Sequence, residues 1–220
     1  MVPNYVLAFV ESGEPIREFV TKFGGQPVWR ERPAWPLSRQ TGRQMQFVCQ
    51  VAPAVGLALP VGSMAYLFMS DIPDDWELRM PSTWDPDAGE NAVIVQPGEP
   101  PAVETVEQAN GPSLFRYVTV PNQRLMTPVP CEYRVMLESG EDPDWVDREQ
   151  EEETFEFSNK LGGTPQFLQG PELPYGPEGP LLLQLDGTNI PFYINLGTGG
   201  VAYLFLAPHG RAGKFLWQDS

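Results

Sequence analysis

Short apolar runs alternate along the chain with segments rich in Gly and Pro. The runs are rich in Val, Leu, Phe and Tyr and have the length of strands, while Gly and Pro mark the turns between them. Strands and helices do not alternate regularly, so the pattern predicts a mostly antiparallel β-sheet. The predicted strands cover residues 5–10, 45–51, 64–70, 91–95, 114–120, 131–138, 181–185, 192–195, 201–206 and 214–217.

One segment near the start of the chain has a helical pattern instead. Pro15 suits the first position of a helix, and Gly24 suits its end. Between them, apolar residues recur at helical spacing, at Ile16, Phe19, Val20 and Phe23. We therefore predict a helix over 15–23 and an α+β fold that is mostly antiparallel β with few short helices.

The same pattern of residues occurs twice. Residues 22–27 return 138 positions later as residues 160–165, and two further apolar blocks follow each copy in the same order. Spacing changes fall between the blocks, where loops tolerate them. We interpret the pattern as a duplicated unit that forms one pseudo-symmetric domain, with a first repeat at 1–72, a central segment at 73–157 and a second repeat at 158–220.

The repeated positions have structural explanations. Paired glycines permit positive φ, proline two residues later fixes an extended exit, and a glutamine inside an apolar run needs a hydrogen-bond partner. The lysine before the glycines either caps a helix end or neutralises an internal carboxylate, and contact with a ligand is the less favoured alternative. These motif residues are Lys22, Gly24, Gly25, Pro27, Gln50, Lys160, Gly162, Gly163, Pro165 and Gln184.

The net charge of the chain disfavours some classes of binding partner. The formal net charge is −15 and the sequence pI is about 4.4, which opposes binding to nucleic acid or to an anionic membrane. The same charge is compatible with a basic protein partner. Two cysteines are too few for a disulfide framework, and the start of the chain lacks the basic region and cleavage site of a signal peptide. We expect a cytoplasmic protein.

Few residues suggest catalysis or metal binding. A thiol–imidazole pair would require His209, the only histidine, together with Cys49 or Cys131. His209 lies in a Pro-x-Gly sequence that is typical of a hairpin turn. One histidine and two dispersed cysteines do not make a transition-metal site. Two acidic segments, 85–90 and 142–144, are oxygen-rich but lack EF-hand spacing, so solvated loops are favoured over calcium sites. We predict no cofactor.

Two groups of charged residues are candidates for partner binding. Arg30 and Arg32 lie in a Pro-rich loop beside Trp29 and Trp35, and Trp and Arg are common in interface hot spots. The tryptophans align with Phe167 and Leu173 of the second copy, which favours packing for both rings. A second group is the acidic run that includes Asp142, Asp144, Asp147 and Glu149, interpreted as a solvated surface or as a docking surface for a basic partner.

The repeated motifs resemble the YwqG-like family, a widespread bacterial domain of unknown function. The resemblance rests on residues 22–27, 35–36, 47–51 and 65–68 and on the second copy. It implies an intracellular, mostly β, internally duplicated α+β protein. Some relatives look like neighbours of polymorphic-toxin genes, which implies an immunity or accessory role for part of the family. The resemblance carries over no catalytic residues.

Three function classes follow from these observations. The leading hypothesis is a non-catalytic cytoplasmic module that binds a basic protein, such as a toxin. The second is an enzyme or small-ligand-binding protein with a cleft between the two repeats. The third is a structural scaffold.

Overall fold

The computed structural model describes residues 3–71, 80–98, 110–121, 125–141 and 157–220. These residues form an antiparallel ten-stranded sheet that curves into a nearly closed barrel, and a separate two-stranded ribbon, β6–β7. The strands are β1 (Pro3–Glu11), β2 (Lys22–Gly24), β3 (Gln46–Val51), β4 (Met64–Met69), β5 (Asn91–Gln96), β6 (Phe115–Val118), β7 (Thr127–Pro130), β8 (Glu132–Glu141), β9 (Lys160–Gly162), β10 (Leu181–Asp186), β11 (Val201–Leu206) and β12 (Gly213–Gln218).

The two longest strands lie at the centre of the sheet. β1 and β8 pair antiparallel along their whole common length, from Pro3 opposite Glu141 to Glu11 opposite Tyr133. β9 then pairs with the other edge of β1, and β2 pairs with the other edge of β8. The full order is β12-β11-β10-β9-β1-β8-β2-β3-β4-β5, so three further strands follow outward on each side.

The two outer strands, β5 and β12, meet at a seam and bring the sheet close to a closed barrel. Side chains bridge the seam: Asn91 Nδ2 donates to the Phe215 carbonyl at 3.1 Å, and Trp217 Nε1 donates to Thr83 Oγ1 at 3.1 Å. Gly213 permits the close approach, since a Cβ there would overlap the side chain of Val93. The barrel is therefore closed by side-chain contacts instead of a backbone ladder.

Strands β3, β4, β10 and β11 are buried on both faces, which explains why their sequences are almost continuously apolar. In β4, Ala65, Leu67 and Met69 point into the barrel core, while the alternate residues belong to an outer cluster with Trp29. β11 repeats this arrangement with an outer cluster around Phe167. The loops after β2 and β9 supply these outer rings, so each loop covers its own side of the barrel.

The predicted antiparallel β-sheet is confirmed, but the helical part of the α+β prediction is wrong for the described residues. They contain no α-helix, and the one helical turn is a 3₁₀ turn at Gly176–Glu178. Residues 15–21 lack regular structure and 22–24 form β2, because pairing with β3 and β8 outweighs the helical spacing. The predicted strand at 192–195 is also absent, apart from an isolated bridge between Tyr193 and Phe115.

No helix in the described parts of the chain has the length and apolar character needed to cross a membrane.

Candidate functional site

The Gly-Gly motif of the first copy surrounds a buried ion pair. Lys22 is fully buried, and its Nζ donates to Glu132 Oε1 at 2.6 Å and to the carbonyl oxygens of Ile16 and Gln26 at 3.0 and 2.5 Å. Burial lowers the pKa of Lys22, and the hydrogen bond from its ammonium to Glu132 opposes that shift. Lys22 thus neutralises an internal carboxylate and is not exposed to a ligand.

The second copy of the motif has the same local geometry. Lys160 is buried, and its Nζ donates to the Thr164 carbonyl at 2.6 Å, the counterpart of the bond to Gln26. The paired glycines adopt matching positive φ angles, 70° and 64° at Gly24 and Gly25 and 70° and 76° at Gly162 and Gly163.

The buried glutamines hold the loops that follow the glycines. Gln50 Oε1 accepts from the Val28 amide at 2.8 Å, and Nε2 donates to the Val20 carbonyl at 2.9 Å. Gln184 repeats both bonds, with the Gln166 amide at 2.8 Å and the Ser158 carbonyl at 2.9 Å. Pro27 is buried and Pro165 half-buried, each at the start of its loop.

Two tyrosines and two further glutamines extend this pattern, and the sequence analysis did not single them out. Tyr66 and Tyr203 each donate a hydroxyl hydrogen bond to a loop carbonyl and accept one from a loop amide. Gln96 and Gln218 accept from loop amides and donate to loop carbonyls in the same way. For the glutamines the available signal was a polar residue at the end of a strand, and for the tyrosines it was the matching place in the repeated blocks 65–68 and 202–205.

We predict that Gly24→Ala destabilises the protein much more than Gly42→Ala. Both glycines have φ near +70°, which costs a non-glycine residue about 1–2 kcal/mol. A Cβ at Gly24 would also overlap the carbonyl oxygen of Cys131, whereas nothing lies within 4 Å of one at Gly42. Urea unfolding should therefore show a difference of at least about 1 kcal/mol between the two variants. Equal losses would contradict the close packing of β2 on β8.

The predicted partner-binding arginines differ in their surroundings. Arg30 donates through Nε to the Gly62 carbonyl and through Nη2 to the Gly98 carbonyl, both at 2.9 Å, and its guanidinium lies 4.4 Å from the centre of the Phe19 ring. These bonds tie Arg30 to the β3–β4 connection at Gly62 and to the segment after β5 at Gly98. Arg32 is exposed. The acidic candidates Asp142, Asp144, Asp147 and Glu149 lie outside the described residues.

Both cysteines are buried, whereas the histidine is exposed. Cys49 lies in the barrel core, where burial raises the pKa of its thiol well above the usual range, and burial raises the pKa of Cys131 to about 11. His209 is exposed in the β11–β12 turn, where its Nδ1 accepts from the Arg211 amide at 3.0 Å. Neither thiol is placed or ionised as a nucleophile requires.

We predict that stability falls above pH 9 and that Cys49→Val reduces this fall. The unfolded thiol ionises near pH 8.5, while the folded one stays protonated. Unfolding therefore releases a proton at alkaline pH, and the free energy of unfolding falls as the pH rises. Each such group removes up to about 1.4 kcal/mol per pH unit from the free energy of unfolding. Urea titrations at several alkaline pH values would measure the slope. An unchanged slope in Cys49→Val would mean that this thiol ionises in the folded state.

A polar cavity of about 310 Å³ lies on the β2–β5 side of the barrel, outside the repeated motifs. It forms where the end of β4, the start of β5 and the loop at 37–44 meet. That loop belongs to the stretch in which the first copy is longer than the second. The lining residues are Ser38, Gln40, Thr41, Arg43, Gln44, Ser70, Asp71, Pro81, Glu90 and Pro112.

Glu90 forms the inner wall of the cavity and is 4% exposed. Its Oε2 accepts from Ser38 Oγ at 2.8 Å and from Ser70 Oγ at 2.7 Å, and its Oε1 accepts from the Gln40 amide at 2.8 Å. No lysine or arginine of the described chain forms an ion pair with it. Three neutral donors therefore stabilise a carboxylate that borders an open cavity.

The cavity rim carries opposite charges. Asp71 and Arg43 are both exposed, and the Arg43 guanidinium makes no hydrogen bond or ion pair with a described residue. Together with Glu90, the lining holds two carboxylates and one guanidinium. The arrangement suits a cationic group or one rich in hydrogen-bond donors.

The acidic side chains of segment 85–90 do not point to a common site. Asp85 Oδ1 accepts from the Asp87 amide at 2.8 Å, Asp87 pairs with Lys214 at 2.8 Å, and Glu90 points to the cavity. Across the described ranges, no three His, Cys, Asp or Glu side chains are grouped as metal ligands would be. The second calcium candidate, 142–144, lies outside the described residues.

Comparison with known families gives one match over most of the chain. The model described as Domain of unknown function (DUF1963) matches residues 21–210. That range includes both Gly-Gly motifs and every residue that lines the cavity. No curated protein matches the chain.

Proposed function

The chain belongs to the DUF1963 family, and we propose that it is a non-catalytic module that binds a basic protein partner through the Glu90 cavity. The observation that carries this proposal is Glu90 itself. It is a buried carboxylate with three neutral donors and no cation among the described residues, and it faces a cavity large enough for a side chain.

Although Arg43 lies on the rim, no cation bonds to Glu90 among the described residues. A carboxylate has about four acceptor sites, and three donors already bond to Glu90, so one direction is left for a ligand. Buried charges are normally paired, and charge-assisted hydrogen bonds are about twice as strong as neutral ones. Asp71 on the rim adds a second carboxylate that an entering lysine or arginine side chain would pass.

The charge of the whole chain supports the same class of partner. A net charge of −15 attracts basic proteins over distances of about one Debye length and speeds their association. A basic toxin that is held inactive by an immunity protein is the sharpest form of such a partner. The free, buried cysteines are in keeping with the proposed cytoplasmic location.

We also infer that the domain is an internal duplication of YwqG-like type, and that each duplicated unit includes more residues than the repeat seen in the sequence. The matched hydrogen bonds of Gln50 with Gln184 and of Tyr66 with Tyr203 support two related units, β1–β5 and β8–β12. The first strand of each unit pairs with the second strand of the other. The 37–44 loop is then an addition to one unit, which favours a function over a role in folding.

We expect the acetylated, amidated peptide Gly-Arg-Gly to bind the protein weakly and to shift the amide resonances of Gln40 and its neighbours. Replacing the arginine by glutamine should weaken binding about tenfold or more, because a charge-assisted hydrogen bond is lost. Asp71→Asn should weaken it about two- to fivefold. NMR titration of the labelled protein measures the dissociation constant in each of these three cases. Repeating the titrations at high salt should give weaker binding.

Arg43→Ala is the matched control. It removes a cation from the rim, so binding of a purely cationic group should be unchanged or stronger. Weaker binding in Arg43→Ala would instead indicate a ligand that also carries an anion, such as a small zwitterion. Equal binding of the arginine and glutamine peptides would overturn the proposal.

A further inference from the structure

An aromatic cluster lies beside the cavity and is open to solvent. Phe115 stacks on Tyr193 at 5.3 Å between ring centres, and Tyr117 meets both rings edge-on at 5.3 Å. Tyr117 is exposed and the other two rings are half-buried. Phe115 and Tyr117 lie on β6, and Tyr193 comes from the connection between β10 and β11. We call these three residues the aromatic platform.

The platform is held rigidly although it sits at the surface. The Tyr193 amide donates to the Phe115 carbonyl at 2.8 Å, which locks the two backbones together. On the other side, Phe115 and Tyr117 are opposite Pro130 and Pro128 of β7. Prolines have no amide hydrogen to donate, so this ribbon is protected from pairing with a further strand. Its exposed rings are thus available to side chains and not to a backbone ladder.

The platform and the cavity are close neighbours along the chain. Pro112 lines the cavity, and Phe115 follows three residues later, so the two are at most about 10 Å apart along an extended backbone. The Phe47 amide donates to the Pro112 carbonyl at 2.9 Å, which anchors this segment to β3. Burial, Tyr117 and Asp71 all raise the pKa of Tyr193, in that order, which agrees with a short distance between Asp71 on the rim and the platform.

We propose that the cavity and the aromatic platform together form one docking surface for an extended basic segment of a protein partner. An arginine or lysine side chain enters the Glu90 cavity, and an aromatic or proline side chain three residues away packs on the platform. In a polyproline II segment, which has three residues per turn, these two side chains lie on the same face about 9 Å apart. Charge complementarity selects the first residue, because the cavity lining holds two carboxylates and one guanidinium. Ring stacking selects the second, since offset and edge-on aromatic pairs are favourable. This inference rests on the proposed function of the cavity.

The test compares acetylated, amidated tetrapeptides by NMR titration of the wild-type protein. Arg-Gly-Gly-Trp should bind about two- to tenfold more tightly than Arg-Gly-Gly-Ala, and the gain should shift resonances of Tyr117 and Tyr193. Gln-Gly-Gly-Trp should bind more weakly than Arg-Gly-Gly-Trp by the factor found for the shorter peptides. These comparisons need no protein variant and so do not depend on folding.

A double-mutant cycle between protein and peptide tests whether the tryptophan side chain contacts the aromatic platform. Tyr117→Ala should abolish the difference between the Trp and Ala peptides, while Val61→Ala, at a side chain that is 98% exposed on the β3–β4 connection, should preserve it. If the arginine peptides bind at the cavity but tryptophan adds nothing, the docking surface is wrong and the proposed function stands. If no arginine peptide binds, the proposed function is wrong as well.

Discussion

Strands that are apolar on both faces need a second layer, and in this protein the loops supply it. β4 and β11 bury every residue, so the outward half of each strand has to be covered. The cover is a Pro-rich loop whose ring, Trp29 or Phe167, stacks on the strand. A loop has unpaired backbone groups that cannot be buried freely. The buried glutamines and tyrosines solve this by bonding to the loop amides and carbonyls, which is why polar residues interrupt otherwise apolar runs.

The cavity arises where the two sides of the barrel differ. On the β9–β12 side, the connection after the loop is short and contains only a 3₁₀ turn. On the β2–β5 side, the additional residues of the 37–44 loop fold back, and Glu90 holds them by bonding to Ser38 and the Gln40 amide. The carboxylate therefore has a structural task, and in the proposed function it has a binding task at the same point. Its neutral donors fix the loop but leave its charge uncompensated.

Sequence reasoning succeeded where the interactions are local or repeated. The prediction that Gln50 and Gln184 are hydrogen-bonded inside apolar runs is met by the structure, because an apolar run predicts burial and burial demands a partner. The helix at 15–23 was wrong because Phe23 is buried by strands that come from distant parts of the chain. Glu90 was grouped with Asp85 and Asp87 for a similar reason. Its partners, Ser38 and Ser70, are distant in sequence, and no local spacing reports them.

The energetics of a single charged contact favour a larger surface than the cavity alone. A hydrogen bond to a charged group contributes about 1.5–3 kcal/mol, which by itself corresponds to binding no tighter than the millimolar range. Part of that gain offsets the desolvation of the entering cation and of Asp71. A partner that must be recognised among other basic proteins therefore needs apolar contacts close to the charge. In the proposed docking surface, the rings of Phe115, Tyr117 and Tyr193 provide these contacts. The hydrogen bond between the Tyr193 amide and the Phe115 carbonyl would limit the entropic cost of docking.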